Sequence, residues 1–290
     1  DRIKVNMTLN QPDYKPGQDI EVSLEAENFF GPPAAGRNYE VEISTQRINF
    51  YPKKNSGYNY YIEGFESSFS SQFRESTTND EGKALEIFPI PEEYKNMGIL
   101  KSDVFATVFD ETGRPVNRLK QFNIYTQDVY FGVKSDDYYL RTNQPAKFDL
   151  IAVDKNGEAM EGVEAQVKLI RYEYKTVLSE SGGYFRYRSE KVEKVLQNKK
   201  MQITGTTTSL GFIPDLSGHY EIRITKPGVS SYVRQQIYAY GWGATSYSSF
   251  QVDREGQIDI STDKEKYNVG EKANILLKAP FTGKILVTLE

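Results

Sequence analysis

The sequence predicts an all-β chain built from tandem seven-stranded antiparallel β-sandwiches, and three observations carry that expectation. The first is alternation. Ile3, Val5, Met7 and Leu9 recur at period two with polar residues between them, as do Ile20, Val22, Leu24 and Ala26; Val104, Ala106 and Val108; Ala146, Phe148 and Leu150; Val163, Ala165, Val167 and Leu169; and Tyr220, Ile222 and Ile224. That is the pattern of a strand with one wet face. The second is composition. Tyr (21) and Phe (16) far outnumber Met (4), and aromatic residues suit a pleated, half-buried surface. Helical periodicity is scarce, with short helical pieces expected only around Glu92–Met97 and Ser189–Leu196. The third observation is an internal repeat.

Displaced by 126 residues, Ile3-Val5-Met7 falls on Val129-Phe131-Val133, Ile20-Val22-Leu24-Ala26 on Ala146-Phe148-Leu150-Ala152, and Gly36 on Gly162. Displaced by 253, Val5-Met7 falls on Ile258-Ile260, Tyr14 on Tyr267, Gly17 on Gly270, and Ile20-Val22-Leu24 on Ala273-Ile275-Leu277. Such self-similarity marks successive copies of one unit. Each opening strand runs into a turn, Gln11 to Gly17 in the first copy and Asp263 to Gly270 in the third. Glycine there permits positive φ, and Pro16 presets its own. In the middle copy Tyr139 is displaced by one position and Asn143 stands in the glycine's place, a substitution that left-handed geometry tolerates.

Both full copies also close alike. Val104–Phe109 turns through Asp110-Glu111-Thr112-Gly113 and leaves through Phe122 and Ile124; Tyr220–Ile224 turns through Lys226-Pro227-Gly228 and leaves through Ile237 and Ala239. With middle strands at Tyr39–Ile48, Tyr58–Phe73 and Lys83–Phe88, the count is about seven per copy, as in an aligned two-sheet sandwich. The expected domains are residues 1–126, 127–252 and the opening part of a third at 253–290. The linkers Thr126-Gln127-Asp128 and Gln251-Val252-Asp253 hold no flexible spacer, so neighbouring modules are expected to touch at a restricted angle.

The residue inventory narrows the chemistry. With 36 basic and 40 acidic side chains the formal charge is −4, which offers no field for phosphates, so nucleic acid is not an expected partner. Cysteine is absent and His219 is the one histidine, which removes thiol nucleophiles, disulfides, thiolate metal sites and paired imidazoles. Glu92-Glu93 and Asp136-Asp137 are adjacent acids that point to opposite faces of a strand, and they read as solvated loop charge. His219, just before a strand, reads as a structural imidazole. Asp154-Lys155-Asn156-Gly157 starts like a calcium loop but lacks the later bidentate acid, and reads as a turn. Gly241-Trp242-Gly243 has no following helix and carries no phosphate signal. Trp242 with Tyr238 and Tyr240 suits either a sugar-stacking platform or interdomain packing, and its place near the second boundary favours packing. Lys191–Lys200 reads as a solvated connection or short amphipathic piece, with a protease-accessible loop as the sharper alternative; Thr204–Ser209 reads as further loop. No catalytic residue, cofactor or metal site is expected. The chain begins at Asp1 without a basic or apolar leader, so any targeting segment is expected outside it, and no apolar run reaches the roughly 18 residues of a spanning helix.

The repeat residues also carry a resemblance. Tyr14-Lys15-Pro16-Gly17-Gln18 followed by Phe29-Phe30-Gly31-Pro32-Pro33-Ala34-Ala35-Gly36 resembles the opening of a macroglobulin domain in bacterial alpha-2-macroglobulin-like proteins. Asp263–Ala273, with Ala279-Pro280-Phe281-Thr282-Gly283 and Val287–Glu290, is similar to the start of a later such domain, and the Asp110–Pro115 turn fits as well. The resemblance implies fibronectin-like domains in a large protease trap of the bacterial envelope or periplasm, commonly a lipoprotein. In such proteins an endopeptidase cuts a bait segment, the body rearranges, and many members capture the enzyme through a Cys-Glu thioester. That thioester has no place in this span, and no bait segment matches it. The implied role is a non-catalytic scaffold, with endopeptidases met through the parent, neighbouring domains as partners and any membrane anchor outside this span. The alternatives are a tandem array of a bacterial surface adhesin or carbohydrate-binding protein, separated by whether the Trp242 cluster is exposed, and accessory modules of an enzyme.

Overall fold

The computed structural model describes residues 3–64, 69–181, 184–206, 208–241, 259–262, 267–272 and 275–278. Strands dominate, and among the described residues the helical content is one 3-10 turn at Glu92–Tyr94. The chain forms two compact units, Asp1–Tyr172 with Glu193–Ala244, and Glu173–Val192 with Thr245–Glu290.

Two sandwiches fill the first unit. In the leading one, β1 (Ile3–Leu9), β3 (Asp19–Asn28) and β7 (Lys83–Pro89) form one sheet in the order β1-β3-β7. The facing sheet has the order β2-β9-β8-β4-β6, from β2 (Asp13–Tyr14), β4 (Asn38–Ile48), β6 (Gln72–Thr77), β8 (Ile99–Phe109) and β9 (Pro115–Tyr125). In the second, β10 (Tyr130–Ser135), β12 (Ala146–Val153) and β15 (Ser209–Phe212) face β11 (Tyr139–Arg141), β17 (Tyr232–Tyr240), β16 (Gly218–Thr225) and those parts of β13 (Val163–Ser181) and β14 (Tyr184–Ile203) that lie outside Glu173–Val192. The inward residues of each alternating strand make the cores: Val5, Val22, Leu24, Val41, Phe88 and Val104 in one, and Phe148, Leu150, Val167, Tyr220 and Ile222 in the other. Burying each such side chain is worth about 1.5–3 kcal/mol.

The repeat is a repeat of register. Met7 pairs with Leu24, and Val133 with Leu150, their counterparts at a displacement of 126. In the second unit, β18 (Asp259–Thr262) pairs with β19 (Ile275–Lys278) so that Ile260 meets Leu277, the same pair displaced by 253. Three hairpins thus keep one alignment, because a slip of one residue would turn every apolar side chain to the wrong face.

The structure departs from several of these expectations. Among the described residues each complete sandwich has eight strands, and its pairing is not wholly antiparallel. The opening strand breaks, and its continuation crosses to the facing sheet, where β2 and β11 run parallel to β9 and β17. Tyr14 pairs with Ile124 and Leu140 with Ala239, so Leu140, not the exposed Tyr139, is the structural counterpart of Tyr14. Asn143 takes φ 62° where Gly17 takes 82°, as the left-handed position requires. Tyr58–Phe73 is not one strand: Ile62–Glu63 (β5) is strand, and β6 starts at Gln72. Ser189–Leu196 and the whole Lys191–Lys200 run are neither helix nor loop but strand, in β14. Pairing with β13 decides this against a weak local pattern. The four lysines on this sheet-edge strand are the kind of charge that discourages further strand pairing.

One turn recurs four times. At Asn28–Pro32, Asn79–Lys83, Asp110–Arg114 and Asp154–Glu158, the first residue's N–H reaches the fifth residue's carbonyl at 2.8–3.0 Å, and the fourth residue, always glycine, donates back to the first. Where the fifth residue has an N–H, the first side chain accepts it: Asp110 Oδ1 takes the Arg114 N–H at 3.0 Å together with that of Thr112 at 2.8 Å. The Thr112 hydroxyl and these amides hold the Asp110 carboxyl down to about 2, from an ordinary 3.8. A lowered folded-state pKa means stability present above the ordinary value and lost as pH falls through the folded one. Asp110→Asn keeps the acceptor, as Asn79 does, and removes the titration. Because it also removes the charge, its melting temperature is expected to lie below the wild type's at pH 6, and the difference should shrink only below about pH 4, down to about pH 2; thermal melts across that range check this.

Candidate functional site at the junction of the two sandwiches

The connection between β4 and β6 is long and rich in aromatics, and it leaves its own sandwich to lie on the next. Two β-sheets facing each other leave a seam between their edge strands. In the second sandwich that seam lies between β10 and β17. Asn59 closes it: its backbone exchanges hydrogen bonds with Val133 of β10 at 2.8 and 3.0 Å, and its side-chain amide donates to the Arg234 carbonyl of β17 at 2.8 Å. Three residues later β5 joins the edge of β17, with Ile62 opposite Val233 and Glu63 opposite Tyr232. One residue and one short strand therefore tie the first module's connection to both sheets of the second.

A small third core lies beneath this strap. Phe50 and Tyr60 from the connection, with Ile99, pack on Tyr130, Ile151 and Val153. The Phe50 ring is 4.4 Å from that of Tyr130 and meets Tyr60 edge-on at 5.2 Å. Gly132 makes the approach possible, since a Cβ there would lie 2.6 Å from the Tyr60 ring and 2.9 Å from Tyr58. Burial pushes the Tyr60 and Tyr130 phenols above their ordinary range. The Tyr60 hydroxyl donates to the Asn55 carbonyl at 2.9 Å.

Beside the strap runs a file of charges alternating in sign: Glu63, Arg234, Glu221, Arg223 and Glu193. Arg234 donates to Glu63 at 2.9 Å and to Glu221 at 3.1 Å; Arg223 donates to Glu221 and, through both terminal nitrogens, to Glu193. Glu221 is fully buried and also accepts from Gln236 at 2.7 Å. Burial alone would raise its carboxyl, but the bonds from Gln236, Arg223 and Tyr172 outweigh it and hold the group below 4.5. The Tyr172 hydroxyl, buried and bonded to this carboxylate, is pushed up to about 12. The first module contributes the end of the file, Glu63.

At the linker, Lys15 pairs with Asp128 at 2.8 Å, and Ser231 donates to the Asn96 carbonyl at 2.8 Å. A cavity of about 280 Å³ remains between Pro16, Tyr125, Phe131 and Tyr232, small beside ligand pockets of about 300–1,000 Å³. This is a packing gap at a joint.

The residues singled out in the sequence lie elsewhere or serve locally. The His219 ring packs edge-on against Tyr238 at 4.9 Å, and Asp154 spends its carboxylate on the Asn156 and Glu158 amides of its turn. Glu92 pairs with Lys95, and Tyr240 is exposed. Trp242 lies outside the described residues, as does most of the third copy. Among the described residues no three potential ligands from His, Cys, Asp and Glu gather. The strap itself was missed, although a signal existed. Leu150-Ile151-Ala152-Val153 is an unbroken apolar run, the mark of a strand covered on both faces, and Gly132 interrupts an aromatic strand where another chain segment approaches.

Residues 1–126 match the family described as the bacterial alpha-2-macroglobulin MG5 domain, and residues 132–242 match bacterial macroglobulin domain 6. The alpha-2-macroglobulin of Pasteurella multocida is 24% identical over 302 aligned positions, covering 100% of this chain and 16% of that protein. The Yersinia pestis alpha-2-macroglobulin homolog is 25% identical, covering 100% of this chain and 15% of its own length. The chain thus spans about a sixth of the curated relatives it matches. In fold it is similar to the native conformation of Escherichia coli alpha-2-macroglobulin, with TM-score 0.55, 18% identity, and coverage of 97% of this chain and 18% of that one. The same protein activated by porcine elastase gives TM-score 0.56 at 17% identity, covering 97% and 24%.

The junction makes two substitutions informative. Asn59→Ala, which loses one bond across the seam, is expected to cost about 1 kcal/mol, and Glu221→Gln, which loses charge-assisted bonds, about 2 kcal/mol. Asn59→Ala should also speed amide exchange at Val133, whose N–H the strap holds. Because Glu221 is held below its ordinary value, its contribution is present above about pH 4.5 and lost on acidification, so the difference between wild type and Glu221→Gln should shrink as pH falls. Urea unfolding at neutral and acid pH measures both.

Proposed function

Because the chain belongs to the bacterial alpha-2-macroglobulin family, we propose that it is a non-catalytic scaffold segment of an envelope endopeptidase inhibitor. The bait and capture elements lie in other parts of the parent. The observation that carries this reading is the strap. It joins two sandwiches through backbone pairing, a shared aromatic core and a shared file of charges, which argues for one rigid part. A trap that rearranges after cleavage needs rigid parts that convert a local cut into a large displacement. A two-module beam with a fixed internal angle is such a part. Endopeptidases are its partners through the parent, as the elastase-activated relative suggests, and the parent resides in the periplasm or cell envelope, held by an anchor outside this span.

The experiment has two arms. The isolated chain, incubated with trypsin or elastase, is expected neither to slow cleavage of a protein substrate nor to hydrolyse one; inhibition by the chain alone would overturn the scaffold reading. In the parent, Gly132→Val drives a side chain into Tyr60 and Tyr58, an overpacking worth about 1–3 kcal/mol. Protease capture by that variant should fall while bait cleavage continues at its normal rate. Unchanged capture with a demonstrably loosened strap would show that the joint is not part of the device.

A further inference from the structure

The turn Asn28–Pro32 and the turn Asp154–Glu158 are one structure at two places, displaced by 126 residues. In both, the first N–H reaches the fifth carbonyl, at 2.8 and 3.0 Å, and the fourth-position glycine donates to the first carbonyl, at 2.9 and 3.0 Å. Those glycines, Gly31 and Gly157, have φ of 102° and 82°. Each turn follows the second long strand of its sandwich, at the end where the chain enters, since Ile3 pairs with Asn28 and Tyr130 with Val153.

Their surroundings differ. The second copy is docked on the module before it. Gly157 is buried against Pro52, its carbonyl accepts from the Asn55 side chain at 2.9 Å, Glu158 pairs with Lys54, and the Lys155 ammonium lies 5.0 Å from the centre of the Tyr125 ring at the end of that module's last strand. Among the described residues the first copy touches nothing of the kind. Gly31 has open space around it, and Phe29 and Phe30, at the positions of Lys155 and Asn156, are 69% and 99% exposed. The turn is nonetheless braced: Asn28 donates to the Pro33 carbonyl at 3.2 Å, and Ala34 is buried behind it and bonded to Ala26. Two adjacent phenylalanines held in water on a rigid turn form a preorganised apolar anchor, of the type that dominates interfaces.

We propose that the Asn28–Pro32 turn is the docking face for the module preceding Asp1 in the longer polypeptide. Phe29 and Phe30 seat against the end of that module's last strand, as Lys155 seats against Tyr125. The occupant follows from the internal repeat: the same turn, one module on, is covered by the module before it. It follows also from length, since the relatives extend far beyond the span matched here and the matched domains are numbered five and six. The contact differs from the strap joint. The outer face of the small sheet, apolar at Tyr130, Ile151 and Val153 in the second sandwich, carries exposed Lys4, Glu25 and Glu27 at the corresponding places in the first.

Hydroxyl-radical footprinting of Phe29 and Phe30, in the 290-residue chain and in the full-length polypeptide, tests this. Oxidation of both rings is expected to be about tenfold slower in the full-length protein. Phe30→Asp should leave the melting temperature of the 290-residue chain unchanged while restoring fast oxidation of Phe29 in the full-length protein. Equal oxidation in the two proteins overturns the proposal. So does protection that appears in the 290-residue chain itself as concentration rises, which would make a second copy the occupant, or protection brought to that chain by lipid vesicles.

Discussion

The arrangement rests on how the second sandwich closes the seam between its two sheets. A sandwich leaves backbone donors and acceptors along its edge strands, and these must find partners or water. The first sandwich closes its own seam, with Arg118 of β9 donating to the Val5 carbonyl of β1 at 2.7 Å. The second borrows: Asn59 bonds to Val133 and Arg234, and β5 completes the edge of β17 that β11 leaves open. Completing one module with a segment of its neighbour makes the angle between them part of the fold. It no longer depends on the linker. The aromatic core under the strap and the charges beside it both presuppose that pairing.

The file of charges adds geometry more than energy. A buried carboxylate between two arginines recovers its desolvation only when its bonds are well made. Glu221 meets that condition through Arg223, Arg234, Gln236 and Tyr172, while the half-exposed outer pairs add little each. Their value lies in alignment. Each arginine is held between two carboxylates, so β14, β16, β17 and the strap cannot slide past one another without separating opposite charges.

The sequence made the architecture legible because alternation and repeat report the same thing, an inward face fixed by register. Met7, Val133 and Ile260 align from the residues alone. The turn at Asn143 was legible for a local reason, the backbone conformation that only Gly, Asn and Asp adopt readily. What escaped notice is non-local. Nothing between Phe50 and Glu63 says which sheet it will cover, and its aromatic, β-prone composition reads as a strand of its own module. The identity of β14 escaped for a related reason. Its lysines break the alternation, and only β13 alongside makes it a strand. The joint was half visible, in the unbroken run Leu150–Val153 and in Gly132, but reading those residues requires knowing that something else lies on top.

The strap also sets an order of assembly. Glu63 and Arg234 are separated by 171 positions in the polypeptide. During ribosomal synthesis at about 5–20 residues per second, Ile62 and Glu63 would wait roughly ten to thirty seconds before the edge of β17 emerged. Phe50, Tyr58 and Tyr60 would be covered sooner, once Tyr130, Gly132, Ile151 and Val153 follow, leaving Glu63 and its strand to dock last. A segment of that kind is a natural client for a chaperone, and its short strand is the last clasp to fasten.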